Sequence, residues 1–394
     1  MTLVIMFKRI PKNVFLLGLV SFFNDTASEM IYPIVPIFLT TVLGVPVAIV
    51  GLIEGIAEGT ASIGKFIFGY ISDYLQKRKP FVVTGYSFGA ISKILIGLSY
   101  TWPLVLFARF IDRIGKGLRT APRDSILLEN ATPQNKGFIF GFHRAFDSMG
   151  AVVGPLLALI LLMIFKENMR TVFFIAAIPA VIGVILLIIF VQEKKKEAIE
   201  EKREFVKLSW KNISPKLRLF LIINFIFALG NSSDAFILLQ AKNLGLTTTL
   251  VVLVYVLYNI VQTIFATPIG QLADKIGARR VFAGGLLIFA FVYFLFGINQ
   301  NPFWLWFIFP IYGLYIAATD GVAKAYISEF ITKKESATFF GLQQTLIAIA
   351  GFLASFIGGV LWSSINPAAT FYYGSMMAII SFIVLFSFKN KYSI

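Results

Sequence analysis

The chain contains no cysteine and a single histidine, His143. Without thiols there are no disulfides, no thiolate metal sites and no iron–sulfur clusters. With one imidazole, a transition-metal site would rest on carboxylates alone, so neither a metal nor a cofactor is expected. Charge is scarce as well: 14% of the 394 residues are charged, against 58% hydrophobic. That is too little polar material to coat a soluble globule of this size. The charge present leans one way, 35 Lys and Arg to 20 Asp and Glu, for a net +15.

What the chain has instead is apolar runs of roughly 20 residues, each long enough to cross about 30 Å of hydrocarbon. They fall near 13–41, 47–71, 81–100, 103–122, 137–164 and 171–192, then 217–240, 247–270, 281–299, 303–325, 338–363 and 368–388. Backbone in lipid is satisfied only by helices or closed barrels, and runs without strict alternation are helices. The expected fold is an all-α integral membrane protein with 12 transmembrane helices in two pseudo-symmetric six-helix bundles. The bundles are expected over residues 1–192 and 217–394, joined by a linker over 193–216. This linker is the one long polar stretch; with its Glu and Lys runs and Trp210 it suits a short helix at the headgroups. The first run has no small-residue cleavage site and reads as an uncleaved anchor.

The basic excess is topological. Lys8, Arg9 and Lys12 precede the first run, Lys77, Arg78 and Lys79 follow the second, and the linker is rich in lysine. Lys275, Arg279 and Arg280 follow the eighth run, and Lys389 and Lys391 come after the last. Connections of the other parity carry only Lys166, Arg170 and Lys242. This positive-inside pattern predicts both termini in the cytoplasm, a multi-pass place in an inner membrane, and no nucleic-acid partner.

An offset near 200 aligns the halves. Glu54 falls on Tyr255, Glu58 on Asn259, Gly69 on Gly270, and Gly141-Phe-His143-Arg144 on Gly341-Leu-Gln343-Gln344. Duplicated halves facing a midplane site are a common architecture of alternating access. The halves differ in charge. The first carries Asp25 and Glu29, Glu54 and Glu58, Lys65, Lys93, then Arg109, Asp112, Arg113, Lys116 and Arg119, and finally His143, Arg144 and Asp147. Each such group costs roughly 2.5–3.5 kcal/mol at a helix centre, so the fourth run should insert only beside partners. Its charges share about 140° of arc, one face of a helix. The second half has Phe309, Gly313, Ile316 and Ile347 at the matching places, and keeps Asn231, Asp234, Tyr255, Asn259, Tyr312, Tyr315, Asp320, Lys324, Gln343 and Gln344. A mutually neutralising network holding helices in register is the plain alternative to a solute pathway.

The segment Gly270-Gln-Leu-Ala-Asp274-Lys-Ile-Gly277-Ala-Arg279-Arg280 resembles the cytoplasmic loop signature of the major facilitator superfamily. Gly69, Asp73, Lys77 and Arg78 form a looser copy, with Gln76 in place of glycine. Arg109 is similar to that family's membrane-embedded arginine. Gly150-Ala-Val-Val-Gly154-Pro155 resembles the helix-five motif of its proton-driven exporters. The resemblance implies a secondary transporter. A small amphiphilic or charged solute would be the substrate, protons the coupling ion, and Asp25, Glu29, Glu54 and Glu58 the proton carriers. The lipid bilayer is the surrounding partner, and a monomer is expected.

Asp73 and Asp274 stand where a carboxylate could cap a neighbouring helix, and the glycines of 150–154 allow close helix approach. Gly51, Gly55 and Gly59 read as a second packing face; Gly59 to Lys65 only mimics a phosphate loop, since Phe66 replaces the magnesium-binding hydroxyl. Proton-linked uptake of an organic anion and lipid flipping remain as alternatives. An intramembrane enzyme using His143 and Asp147 is a remote one, lacking a nucleophile or metal nearby.

Overall fold

The structure is a computed structural model that describes residues 10–75, 77–130, 136–193, 214–328, 330 and 336–387. Among them there is no β-strand. The helices of the first half are α1 (Lys12–Ile31), α2 (Val47–Leu75), α3 (Lys79–Gly97), α4 (Trp102–Glu129), α5 (Lys136–Ile164) and α6 (Met169–Phe190). Those of the second are α7 (Pro215–Gly230), α8 (Ala235–Asn243), α9 (Thr248–Ile276), α10 (Ala278–Ile298), α11 (Leu305–Ser328), α12 (Ser336–Ser364) and α13 (Pro367–Ser387).

Among the described residues, eleven helical spans are long and apolar enough to cross a membrane. The twelfth expected span, α4, is 28 residues long but too charged to qualify by hydropathy, as its ionic face dictates. It packs chiefly on α3. The two backbones touch where Gly85 meets Gly115: a methyl on either would stand 2.5 Å from the other's carbonyl oxygen. Small residues at such crossings replace the hydrophobic drive that lipid removes.

Two spans expected as unbroken are interrupted. The first continues past α1 and Pro33 through a single short helical turn (Val35–Ile37), which contains Pro36, and a wide π-turn (Phe38–Val42). The seventh breaks between α7 and α8 at Asn231–Asp234. There Ser355 Oγ accepts from Ser233 N at 3.1 Å and Ser233 Oγ from Ala235 N at 3.3 Å. Side chains thus replace the lost helical partners, as buried backbone in lipid requires.

The chain forms two compact units, Met1–Leu43 with Thr60–Glu201, and Gly44–Gly59 with Lys202–Ile394. The first half of α2 therefore groups with the second unit, whereas the expected first bundle runs unbroken from 1 to 192. Its cause is glycine packing: a Cβ on Gly51 would overlap Ser355 O, and one on Gly55 would come within 2.9 Å of Phe352. Ala48 N donates to Ser363 Oγ at 3.0 Å at the same contact. Gly59, expected on that face, meets nothing within 4 Å. Nearly all of the expected linker lies outside the described residues.

The cores of the units differ. In the first, Val14, Leu17, Val20, Val82, Leu127 and Leu187 form an aliphatic cluster at one end. In the second, rings of α7, α10 and α11 stack on one another, Phe289 on Tyr293 at 4.0 Å and edge-on to Tyr315 at 4.8 Å.

Candidate functional site

In the first unit, α1, α3, α4 and α5 bring their charges together. Lys93 is wholly buried; its Nζ lies 3.7 Å from Asp112 Oδ1 and donates to Ser28 Oγ at 3.3 Å and Gly89 O at 2.9 Å. Ser92 Oγ donates to the same Asp112 oxygen at 3.4 Å, and Arg113 Nε stands 4.0 Å from the other. Arg119 lies over the Tyr86 ring at 4.6 Å, a cation–π contact away from water. Arg123 donates to Asp124 Oδ1 at 3.0 and 2.9 Å and reaches Ser21 Oγ at 3.3 Å. Arg109 is buried on the same helix face, and Lys116 half-buried.

Asp25 accepts from Asn24 Nδ2 at 3.2 Å and interacts electrostatically with Asp147, Arg119, Arg123 and Lys116. Asp147 in turn stands 3.6 Å from His143 Nδ1 and 3.9 Å from the exposed Arg144. This meeting of α1 and α5 depends on the glycines: a methyl on Gly154 would lie 2.5 Å from Thr26 O and 2.8 Å from Glu29 Cβ. One on Gly150 would lie 2.8 Å from Phe22 O and 3.0 Å from Asp25 Cβ. Pro155 is accommodated inside α5.

Glu54 and Glu58 sit in the second unit, Glu54 buried and Glu58 exposed. In the same unit Asp234, at the break before α8, accepts from Tyr258 at 2.7 Å and Tyr312 at 2.6 Å. Tyr255 packs edge-on to Tyr258 at 5.1 Å, and Asn259 turns back to donate to the Tyr255 carbonyl at 2.9 Å. Asn231, Asp320, Gln343 and Gln344 are drawn together elsewhere, around a cavity of about 240 Å³ shared with Asn224, Phe227, Tyr315 and Thr319. The side chain of Lys324 lies outside the described residues.

At the α2–α3 joint, Arg78 Nε pairs with Glu129 Oε1 at 3.1 Å, and Ser72 Oγ donates to Lys77 O at 3.0 Å. The carboxylate that caps α3 is Glu193, which accepts from the amides of Arg78 and Lys79, the latter at 3.2 Å. The side chains of Asp73 and Asp274 lie outside the described residues. Lys79 Nζ also donates to Ile188 O at 2.8 Å, near the end of α6. Its counterpart in the second unit, Arg279, donates to Leu385 O near the end of α13. In both halves, then, the cation opening the third span ties down the closing helix. Gly277 links α9 to α10 alone, at φ +95°, and Arg280 donates back to Ile276 O at 3.4 Å. Gly69 lies on α2 and Gly270 on α9, ahead of these joints.

Sequence reasoning overlooked Tyr258, Tyr86, Asn224 and Glu193. The three within spans are single residues of types that ordinary helix packing also uses. Glu193, at the head of a charged linker, gave no sign of its helix-capping role.

A sequence model described as the Major Facilitator Superfamily matches residues 17–239 and 220–393. The chain belongs to that superfamily and is a multi-pass membrane transporter of its type. It is 38% identical over 386 residues to an uncharacterized MFS-type transporter of Methanocaldococcus jannaschii, covering 96% of this chain and 95% of the relative. It is 27% identical over 128 residues to the multidrug resistance protein MdtH of Salmonella newport, about a third of either chain, 32% of each. Among solved structures, the fold is similar to that of the nucleoside transporter NupG (TM-score 0.74, 14% identity, 97% of this chain and 100% of that one). It is also similar to that of a POT family transporter in complex with 5-aminolevulinic acid (TM-score 0.77, 14% identity, 97% and 96%).

Proposed function

We propose that the protein exports a small amphiphilic or charged solute in exchange for protons, by alternating access, from an inner membrane with both termini cytoplasmic. One observation carries this reading: Gly150 and Gly154 seat α5 against α1 so closely that Asp25 and Asp147 share one cluster with Arg119, Arg123 and Lys116. A carboxylate facing both another carboxylate and several cations has its proton affinity set by which neighbours stay near. Motion of α1 against α5 then couples proton occupancy to shape. Glu29, Glu54 and Glu58 are the further carriers, and Arg109 and Arg113 tune the cluster or hold an acidic solute group. The partial match to a multidrug resistance protein supports export. The cytoplasmic joints carry Gly69, Asp73, Lys77 and Arg78 on one side and Gly270, Asp274, Gly277, Arg279 and Arg280 on the other.

The test is transport in proteoliposomes under an imposed pH gradient, with an internal pH dye. Solute flux and proton counterflow should both collapse when Asp25→Asn, Glu29→Gln, Glu54→Gln and Glu58→Gln are combined. Undiminished gradient-driven flux in that variant removes the coupling claim. The buried basic face of α4 favours one other reading, proton-linked uptake of an organic anion. The same vesicles loaded with acids or with cationic dyes separate the two by the sign of proton movement.

A further inference from the structure

The 240 Å³ cavity of the second unit is lined at positions whose sequence counterparts in the first half include two arginines. At the offset of 200, its lining residues Asn224, Thr319, Ala323, Gln343 and Ile347 match Asn24, Arg119, Arg123, His143 and Asp147. The helices carrying them match too, α12 covering 336–364 where α5 covers 136–164. At two of these positions the first unit carries guanidinium groups. Arg119 lies over the Tyr86 ring, while Arg123 donates to Asp124 and Ser21. In the second, Thr319 and Ala323 are too short to fill the cavity. Its walls offer amide groups from Asn224, Asn231, Gln343 and Gln344, one carboxylate from Asp320, and the rings of Phe227, Phe282 and Tyr315. No described cationic side chain lines it. Gln343 is only 2% exposed, yet its Oε1 accepts no hydrogen bond. A buried acceptor left without a donor is unfavourable, a deficit that a donor brought by a ligand removes.

We infer that this cavity is a binding subsite for an organic cation with a planar amidinium or guanidinium head on a small aromatic body, the ligand taking the place of the first half's arginines. Its N–H donors meet Gln343 Oε1, the Asp320 carboxylate and the asparagine carbonyls. Its ring and delocalised charge lie against Phe227 and Tyr315, which attract cations through their faces. The inference rests on the transporter reading above and names the substrate class for it.

Three nearly isosteric probes test it: benzamidine (cation), benzamide (neutral) and benzoate (anion). Each is titrated calorimetrically into the purified full chain in detergent, with no gradient. Benzamidine should bind saturably, and the other two at least tenfold more weakly. Gln343→Leu and Asp320→Asn should each weaken benzamidine at least tenfold. Thr319→Arg, restoring the first half's side chain, should abolish binding. Equal affinity for all three probes, no saturable benzamidine binding, or indifference to these substitutions overturns the inference. If Thr319→Arg fails to fold, as judged by gel filtration, the exposed-site variant Asp320→Asn and Gln343→Leu decide. Proton coupling is read separately: benzamidine binding that survives the fourfold carboxylate replacement separates failure of coupling from failure of the subsite.

Discussion

Lys93 is held in the first unit without access to solvent, its Nζ 3.7 Å from Asp112 Oδ1. Removing one member of a buried pair strands the other, at a cost of about 3–5 kcal/mol, whereas replacing both by apolar groups is often neutral. Asp112→Ala, which takes the carboxylate from the buried Lys93, should therefore lower unfolding stability in detergent by that amount, and Lys93→Met with Asp112→Leu should recover most of it. A double-mutant cycle on thermal or denaturant unfolding measures the coupling. Asp234 makes a parallel case with neutral donors. Tyr258→Phe and Tyr312→Phe each delete one hydroxyl donated to it, at 2.7 and 2.6 Å, and should each cost roughly 1–3 kcal/mol in the same assay. The importance of Tyr258 was invisible in the sequence, because a tyrosine in an apolar run looks like any core aromatic. Asp234 stood out, since a carboxylate in such a run needs a reason to be there.

Helix pairs are set by glycine. Gly154→Leu would drive a side chain into the α1 backbone, with Thr26 O only 2.5 Å from the new Cβ. Overpacking of this kind costs about 1–3 kcal/mol. It should also abolish gradient-driven flux, since it parts Asp25 from Asp147. Gly59→Ala, where nothing lies within 4 Å, should leave both stability and flux near their starting values. Comparing the two variants by unfolding and by vesicle flux checks the difference. The lengths and order of the helices were readable from twenty-residue apolar runs, and α4 from charges sharing one face. The breaks at 32–37 and 231–234 were not, because hydropathy runs on through short polar or proline-bearing interruptions. Nor did spacing say which helix the 150–154 glycines touch; a small residue announces closeness without naming its neighbour.

At the level of the whole molecule, the chain's lack of cysteine makes it ready for labelling without a background to remove. Single substitutions Tyr100→Cys and Lys77→Cys place thiols at exposed ends of neighbouring spans, Tyr100 being 81% exposed. A membrane-impermeant maleimide on intact cells should modify the first and reach the second only after permeabilisation. The reverse pattern would invert the orientation inferred from charge. The two halves were legible as a duplication through a handful of matching positions, and their divergence through the loss of charge at 309, 313, 316 and 347. The joint ties were not legible: Lys79 and Arg279 read as positive-inside anchors, and each is also a lock on a distant carbonyl. For Arg279 that partner, Leu385, lies two residues before α13 finishes. Assembly of the second bundle therefore has a final stitch: a nascent chain halted before residue 385 leaves the guanidinium without its mate, and only completion of the last helix draws the ring shut.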